Sequence, residues 1–405
     1  MPSTSLDTTT APPLARAPDN AQAPRLPHIG ALDGLRGLAI ALVMFHHMTL
    51  LDPISPIDHV LKWMGGMAWC GVDLFFVLSG FLITGILLDT RGGPHYFRQF
   101  YARRTLRIFP LYYAMLFLYL AILPHSRWAQ YIPKGDVVLP ARYFWLYLSN
   151  VAMAMAGSFG ISVLSITWSL AIEEQFYLVW PTVVRFVRGS ALLWIAIAGV
   201  VIPPILRSAL VYRGANVIVP YVLTPCRLEP IAVGAILAMM MRSDGWALCQ
   251  RAARIVVWLA LGAIAVTFAV QRNPTIYGKP MQTVGYTFFA LMFGALLVLS
   301  VSARPGNALF RVTNFKLLRF FGRYSYAAYL LQPMVVVFMR RSFIRPERFP
   351  SILHSHIPAQ ILFYAVGFSA SMGLAVLSWH LWEKHFLRLK ALFPYGRVPG
   401  DRSAK

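Results

Sequence analysis

Apolar runs long enough to cross a lipid bilayer dominate the chain, and this feature limits its fold more than any other. A helix of about 20 apolar residues spans the hydrocarbon core. Because a spanning segment must satisfy its backbone hydrogen bonds internally, the sequence predicts an all-α fold, a polytopic membrane helix bundle of about ten transmembrane helices. The ten runs lie near residues 37–51, 68–88, 108–123, 166–184, 191–211, 228–241, 255–270, 283–301, 324–339 and 359–382, and residues 141–156 are a candidate eleventh.

The charge balance supports a membrane location. The chain is 58% hydrophobic and 13% charged, whereas about a quarter of the residues in a soluble domain are charged. Its formal net charge is +22, but the basic residues recur in alternate loops instead of forming one patch. With ten spans and a cytoplasmic amino terminus, roughly two thirds of Lys and Arg lie inside. The sequence therefore predicts that both termini are cytoplasmic and that nucleic acid is not a partner.

Three regions are predicted along the chain. Residues 1–27 are rich in Pro, Ala, Ser and Thr, which predicts a disordered cytoplasmic extension. Residues 28–390 form the transmembrane domain, and residues 391–405 form a short basic cytoplasmic tail. Cys70, Cys226 and Cys249 have no metal-like spacing, so neither a disulfide framework nor a metal site is predicted.

Arg36 and His47 lie eleven residues apart in the first apolar run, LDGLRGLAIALVMFHHMTL. On a helix that separation returns to within about 20° of the starting direction, about 16 Å further along the axis. A fixed cation and a titratable base in a membrane helix are costly and mark a polar cavity used by a substrate. The adjacent His46 points about 100° away and is the weaker candidate.

Asp73 lies in the second run, GVDLFFVLSGFLIT, and is a candidate site residue. Its position near the predicted outer end also allows a simpler interpretation, in which it is an interfacial residue that reaches water. The pair Ser79 and Gly80 would let another helix or a thin ligand approach the backbone closely.

A basic cluster, FYARRTLRIFPLYY, precedes the third run. Arg104 and Arg107 are three residues apart, next to Arg103, and share a helical face. Grouped guanidinium groups suit the phosphates of a nucleotide-like ligand because they donate hydrogen bonds in pairs. The alternative is a positive-inside anchor that binds no ligand.

Two later segments contain further polar residues. In TWSLAIEEQFYLVWP, Ser169 and Glu173 share one helical face and Glu174 lies on another. An unpaired carboxylate in hydrocarbon costs several kcal/mol, so Glu173 is a site candidate, with a buried salt bridge to an arginine as the alternative. In RYSYAAYLLQP, a polar aromatic face is predicted to shape the cavity, although an interfacial aromatic belt would explain much of it. Its members are Tyr324, Ser325, Tyr326, Tyr329 and Gln332.

These five segments, in this order across residues 28–390, resemble the acyltransferase-3 family, bacterial membrane proteins that transfer acyl groups from acyl-CoA to sugars and related hydroxyl acceptors. The resemblance implies that Arg36 and His47 are essential, that Arg104 and Arg107 are the family's paired arginines, and that Glu173 is its glutamate. Many members carry a histidine at the positions of Gln332 and Ile166. Some members extend into a soluble carboxy-terminal domain, whereas about 23 residues follow the last span here, too few for a domain. A stand-alone membrane domain is therefore expected.

The resemblance implies an O-acyltransferase of the bacterial inner membrane with no permanently bound cofactor. It would move an acyl group, acetyl by default, from acyl-CoA to a hydroxyl of an envelope carbohydrate such as lipopolysaccharide. His47 would act as general base, supported by Glu173 or Asp73, and an acyl-histidine intermediate is equally compatible. The predicted acyl-CoA site comprises Arg36, Arg103, Arg104 and Arg107. The predicted acceptor site comprises Trp168, Ser169, Tyr326 and Gln332.

Two other classes of protein are compatible with the same residues. A transporter would use Asp73 or Glu173 for proton or sodium coupling and would consume no thioester. A lipid-binding scaffold would grip anionic headgroups through its basic loops and would not need Arg36 or His47.

Overall fold

The computed structural model describes residues 29–126, 137–342, 351–352 and 354–395. The predicted extension 1–27 and residues 396–405 of the predicted tail lie outside the described residues. Within the described part of the chain the fold is all-α, with no β-strand and one isolated bridge between Ile352 and Ser355.

The helices follow one another with short connections. They are α1 Gly30–Met48, α2 Pro56–Met67, α3 Gly71–Thr90, α4 Tyr96–Phe117, α5 Ala141–Trp145, α6 Ser149–Ala156, α7 Thr167–Phe186, α8 Ser190–Tyr212, α9 Ile218–Val222, α10 Glu229–Met240, α11 Gly245–Gln271, α12 Tyr286–Val301, α13 Ala308–Thr313, α14 Lys316–Ser342, α15 Ile357–Ser378 and α16 Lys384–Arg388. Single π-helical turns extend α4 at Leu118–Ile122, precede α12 at Met281–Gly285 and join α15 to α16 at Trp379–Glu383.

Six helical segments in the described residues are long and apolar enough to cross a membrane. They are Pro56–Thr90, Tyr96–His125, Ser190–Tyr212, Gly245–Gln271, Met281–Val301 and Ile357–Leu392. Helices α1, α7 and α14, at 19, 20 and 27 residues, have spanning length but are not among the six. These three are the helices that carry Arg36, Glu173 and the polar aromatic face.

Two predicted runs form shorter helices than the sequence suggested. Residues 141–156 form α5 and α6, of 5 and 8 residues, so the candidate eleventh span is wrong because a helix rises about 1.5 Å per residue. The run near 228–241 forms α10, an apolar helix of 12 residues that is buried among its neighbours.

Helices α1 and α14 pack along their lengths with their backbones almost in contact. A Cβ atom built on Gly37 would lie 1.8 Å from the Leu318 carbonyl oxygen of α14, and one on Gly34 would lie 1.7 Å from that of Thr313, the last residue of α13. A Cβ on Gly322 would lie 1.9 Å from the Asp33 carbonyl oxygen. Small residues allow such approach where apolar burial does not drive helix association. This contact fixes α1, and with it Arg36 and His47, against α14.

Helices α3 and α10 form a second glycine-mediated pair. A Cβ on Gly80 would lie 1.9 Å from the Ile231 carbonyl oxygen, and one on Gly234 would lie 2.1 Å from that of Val77. The prediction that Gly80 admits a close helix neighbour is therefore confirmed.

Two buried ion pairs join the elements around α10. Arg227 Nη2 lies 2.6 Å from Asp73 Oδ1, and both side chains are fully buried. Arg207 on α8 makes a bidentate contact with Glu229 and also donates to the Gln282 carbonyl oxygen at 2.7 Å. The interfacial interpretation of Asp73 is wrong, because its carboxylate faces Arg227 and not water.

Candidate active site

A cavity near the amino-terminal half of α1, called here the inner cavity, collects residues from five helices. It contains about 760 Å³ of empty space, including the part open to solvent, which is within the usual size of a ligand site. Helices α1, α3, α4, α7 and α14 contribute Arg36, Ser79, Arg104, Arg107, Glu173 and Tyr326 to its wall. The structure therefore brings together three of the four arginines predicted to bind a phosphorylated ligand.

Positive charge in the inner cavity exceeds negative charge. Arg104 lies over the rings of Phe100 and Tyr177, at 5.9 and 5.5 Å from their centroids. Among the described residues, no carboxylate oxygen lies within 4.0 Å of a nitrogen of Arg104 or Arg107. Arg36 Nη1 lies 3.5 Å from Asp33 Oδ1, and in the described part of the chain no other carboxylate lies within 4.0 Å of it. Guanidinium donors without protein acceptors favour an anionic ligand.

Glu173 lies in this cavity beside two hydroxyl groups, not in an ion pair. The Ser79 and Tyr177 hydroxyls are its polar neighbours, and Arg104 and Arg36 act on it electrostatically from further away. Ser79 Oγ and Tyr177 Oη are 2.5 Å apart. No Lys or Arg nitrogen of the described residues lies within 4.0 Å of the Glu173 carboxylate. The salt-bridge interpretation of Glu173 is therefore wrong for the residues that the structure describes.

A second cavity, called here the outer cavity, lies at the carboxy-terminal end of α1. It contains about 840 Å³ of empty space, including the part open to solvent. Its wall is largely aromatic, with a few polar groups. The residues that define it are His46, His47, Trp69, Trp168, Tyr221 and Tyr277.

The imidazole of His47 is held by its own helix. His47 Nδ1 lies 2.8 Å from the Val43 carbonyl oxygen. Because a carbonyl oxygen only accepts, Nδ1 carries the proton in the neutral ring and Nε2 keeps a lone pair. The expected carboxylate support is not found in the described part of the chain, since the group that orients His47 is a backbone carbonyl.

His46 lines the same cavity as His47, although the sequence indicated that it was the weaker candidate for a site residue. Its Nδ1 donates to the Gly65 carbonyl oxygen of α2 at 2.8 Å. The two imidazole centroids are 5.2 Å apart in an edge-on arrangement.

The inner and outer cavities share a wall, because Val72 and Tyr329 line both. Tyr329 Oη lies 2.6 Å from Ser169 Oγ and 3.3 Å from the Ile166 carbonyl oxygen. Helix α1 runs past this wall and places Arg36 in the inner cavity and His47 in the outer cavity. The spacing between Arg36 and His47 therefore corresponds to two adjacent cavities instead of the single cavity that the sequence suggested.

The remaining predicted acceptor residues are divided between the cavities and the core. Ser169 and Tyr326 line the inner cavity, where Tyr326 Oη donates to the Ile108 carbonyl oxygen at 2.6 Å. Trp168 lines the outer cavity. Gln332 is 0% exposed and lines neither cavity, and its amide atoms have no hydrogen-bond partner among the described residues.

Two other predicted site residues lie away from both cavities. Arg103 donates to the Lys390 and Phe393 carbonyl oxygens, each at 3.1 Å, and its guanidinium lies 4.5 Å from the centroid of the Tyr395 ring. It anchors the carboxy-terminal segment to α4. Asp73 forms an ion pair with Arg227 and lines neither cavity.

Several residues that line the cavities or support the surrounding helices were not singled out from the sequence. Tyr177 follows Glu173 by four residues, and that helical spacing could have identified it. Arg207 and Glu229 are charged residues within two of the apolar runs, and that pattern could have indicated a buried ion pair. The aromatic residues Trp69 and Tyr221 resemble ordinary core residues in the sequence, so no local signal marked them.

Comparisons with known proteins agree on one family. A family model described as an acyltransferase domain matches residues 29–380. Peptidoglycan O-acetyltransferase OatA of Listeria monocytogenes is 29% identical over 324 residues, covering 75% of this chain and 48% of the relative. Putative peptidoglycan O-acetyltransferase YrhL of Bacillus subtilis is 28% identical over 330 residues, covering 76% and 49%.

O-acetyltransferase OatA of Staphylococcus aureus is 27% identical over 347 residues, covering 79% of this chain and 52% of the relative. The chain thus spans about half the length of the curated relatives it matches. No solved structure matches it.

Proposed function

Since this chain belongs to the acyltransferase-3 family, we propose that it transfers an acetyl group from acetyl-CoA to a hydroxyl of a cell-envelope carbohydrate, within the bacterial inner membrane. The observation that carries the proposal is the pair of cavities along α1, with cationic groups in one and an oriented imidazole in the other. A donor and an acceptor could thus approach the same wall from opposite sides.

The inner cavity suits the donor. Arg104 and Arg107 have guanidinium donors that no described carboxylate occupies, and Arg36 lies beside them. A phosphorylated carrier would satisfy these groups. The length of α1 from Arg36 to His47, about 16 Å, is comparable with the reach of a pantetheine arm. A thioester carried on such an arm would then stand near the wall formed by Val72 and Tyr329.

His47 is the proposed general base. Its Nε2 lone pair would accept the proton of the acceptor hydroxyl as that oxygen attacks the thioester carbonyl. The tetrahedral intermediate would then expel the thiolate, which takes up the proton from the imidazolium, giving an ester and free CoA. A variant of this route, in which Nε2 itself attacks the carbonyl and passes the acyl group on, uses the same geometry.

The two carboxylates take different roles in this proposal. Glu173 would orient the donor end of the site through Ser79, Tyr177 and the nearby arginines. Asp73 would hold α3 against α10 through Arg227, which stacks on the outer-cavity residue Tyr221 at 5.1 Å. Asp73 would therefore act on the site indirectly, as a positioning residue.

The outer cavity suits a sugar acceptor. Ligand sites combine apolar and aromatic walls with a few polar groups that fix orientation, and this cavity pairs Trp69, Trp168 and Tyr221 with two imidazoles. The relatives from Listeria monocytogenes and Bacillus subtilis are named as peptidoglycan O-acetyltransferases. We therefore propose a glycan of the cell envelope as acceptor, with peptidoglycan placed ahead of lipopolysaccharide.

The first test is thiol release from acetyl-CoA by the purified protein in nanodiscs, with and without cell-envelope glycan. Wild type is expected to release thiol in a glycan-dependent manner, and His47→Ala to lose about 100-fold or more of that rate, the usual contribution of a general base. His46→Ala is the matched control because it removes an imidazole from the same cavity and should retain more activity.

The proposal would be overturned if folded His47→Ala kept full activity. Absence of thiol release with any acyl-CoA and a broad acceptor panel would favour a transporter, and ion-coupled flux would then be the next assay.

A further inference from the structure

A third concave surface opens beside the inner cavity, at the amino-terminal ends of α1 and α14. We call it the basic vestibule, and it contains about 1140 Å³ of empty space, including the part open to solvent. It shares Arg36 and Arg107 with the inner cavity. Its other defining residues are Lys316, Arg319, Phe320, Arg323 and Trp379.

The basic vestibule concentrates charge of one sign. Of the described residues, five cationic side chains and one carboxylate, that of Asp33, line its wall, and Glu383, which does not line it, acts on Arg107 electrostatically. Lys316, Arg319 and Arg323 are exposed, so their charges are available to a ligand. Clefts lined by one sign of charge focus the electrostatic field and concentrate counter-ions.

The position of these cations on their helix does not stabilise the helix. Lys316 and Arg319 lie in the first turn of α14, where the helix dipole already presents partial positive charge and disfavours cations. Residues that are unfavourable for their own helix are better explained by an external anion.

The positive-inside rule alone would also place Lys and Arg at this end of α14. It requires only that the charges face the cytoplasm, however, and not that they converge. Here they line one surface together with Arg36 and Arg107, which belong to a deeper cavity in the protein. Convergence on a shared cavity indicates a ligand that extends from the vestibule inward.

Aromatic rings stand beside the cations. Phe320 is 40% exposed, and the Trp379 ring lies 5.6 Å from the Arg323 guanidinium carbon. Planar heterocycles stack on such rings, and guanidinium groups pair with phosphate oxygens. The surface therefore offers what a phosphorylated nucleoside requires, a stacking face next to several cations.

We propose that the basic vestibule binds the phosphorylated nucleoside end of the donor thioester, through Lys316, Arg319 and Arg323 with Trp379 and Phe320. This inference rests on the proposed function and extends it to residues outside the inner cavity. The donor would lie parallel to α1, with its diphosphate near Arg36 and Arg107, its nucleoside 3′-phosphate in the vestibule, and its thioester at the wall between the inner and outer cavities.

The test compares two donors and two variants. The triple variant Lys316→Gln, Arg319→Gln, Arg323→Gln removes three vestibule charges. The control Arg251→Gln, Arg254→Gln, Arg311→Gln removes three exposed charges that line none of the three cavities. Each protein is assayed with acetyl-CoA and with acetyl-pantetheine, which lacks the nucleotide. CoA binding is measured in parallel by calorimetry.

The expected result is selective. The vestibule variant should raise KM for acetyl-CoA about tenfold or more and weaken CoA binding equally. Its kcat, and its KM for acetyl-pantetheine, should stay close to wild type. The control variant should have the same KM and kcat as wild type with both donors.

Three outcomes would overturn the inference. An unchanged KM for acetyl-CoA, with normal turnover, would remove the vestibule from the donor site and leave the proposed function intact. An effect that appears only in nanodiscs containing anionic lipid, and not in neutral phosphatidylcholine, would assign the cations to lipid headgroups. Failure of the wild type both to bind CoA and to use acetyl-CoA would overturn the proposed function together with the inference.

Discussion

At the scale of single residues, the arginine cluster on α4 divides into two kinds of contact. Arg103 is held by carbonyl oxygens of the carboxy-terminal segment, whereas Arg104 and Arg107 face the inner cavity. We therefore predict that replacing Arg104 and Arg107 together by Gln raises KM for acetyl-CoA more than KM for the acceptor, because the lost donors belong to the phosphate site. Steady-state kinetics with each substrate varied in turn measure this difference.

Arg103→Gln is the matched control for that prediction. It removes the same charge from the same helix, but we expect an unchanged KM and a modest loss of thermal stability, since its contacts are structural. If Arg103→Gln raised KM as much as the double variant, the division between anchor and ligand site would be wrong.

A second prediction at this scale concerns the buried pair of Asp73 and Arg227. Asp73→Asn leaves the Arg227 charge buried without its partner, which costs about 3–5 kcal/mol in proteins. We expect a clear drop in the unfolding midpoint in detergent. The double variant Asp73→Leu, Arg227→Met, which removes both charges, should recover most of it. A single variant as stable as wild type would show that the pair contributes no stability.

Residue-scale features were predictable from the sequence where they depend on one helix. The eleven-residue spacing predicted that Arg36 and His47 share a helical face about 16 Å apart, but it did not predict that they line two different cavities. The partner of Asp73 could not be inferred, because Arg227 lies 154 residues away in the chain. The hydrogen bond between His47 and the Val43 carbonyl was also not predicted. Every residue has a backbone carbonyl, so the sequence does not distinguish this one, whereas the few carboxylates stand out.

At the scale of elements, the glycine contacts make the strongest prediction. Gly37→Ala would place a Cβ 1.8 Å from the Leu318 carbonyl oxygen, so α1 and α14 must separate. We expect a loss of stability of about 1–3 kcal/mol, typical of overpacking, together with reduced activity because α1 carries Arg36 and His47. Thermal unfolding and the thiol-release assay measure the two effects.

Gly373→Ala in α15 is the control for the crowding effect, since a Cβ there has no atom within 4 Å. It should be neutral or stabilising, because Ala exceeds Gly in helix propensity by about 1 kcal/mol. Equal effects of Gly37→Ala and Gly373→Ala would mean that helix propensity, not contact between helices, governs both.

The sequence predicted most of the long helices, because their apolar runs have a characteristic length. It was misleading at residues 141–156, where composition suggested a span but α5 and α6 form instead. Hydropathy reports how apolar a segment is and does not report where the backbone turns. Tyr147, at φ 53°, lies in the left-handed region between these two helices, and no signal in the sequence marked that turn.

At the scale of the whole molecule, the charge distribution predicts the orientation in the membrane. With both termini cytoplasmic, α2 lies outside and the connection between α10 and α11 lies inside. Val60 on α2 and Ser243 in that connection are both exposed. In a variant with Cys249 replaced by Ser, Val60→Cys should react with a membrane-impermeant maleimide in intact cells. Ser243→Cys should react only after permeabilisation, and the opposite pattern would invert the proposed topology.

The close contact between α1 and α14 also has a consequence for biosynthesis. The two helices meet backbone to backbone, yet residues 49–315 separate them in the chain. Because a ribosome delivers helices in sequence order, α1 is made with Arg36 and His47 long before its partner exists. The helix pair that holds both polar groups in place can therefore form only late in synthesis, after α14 has been made.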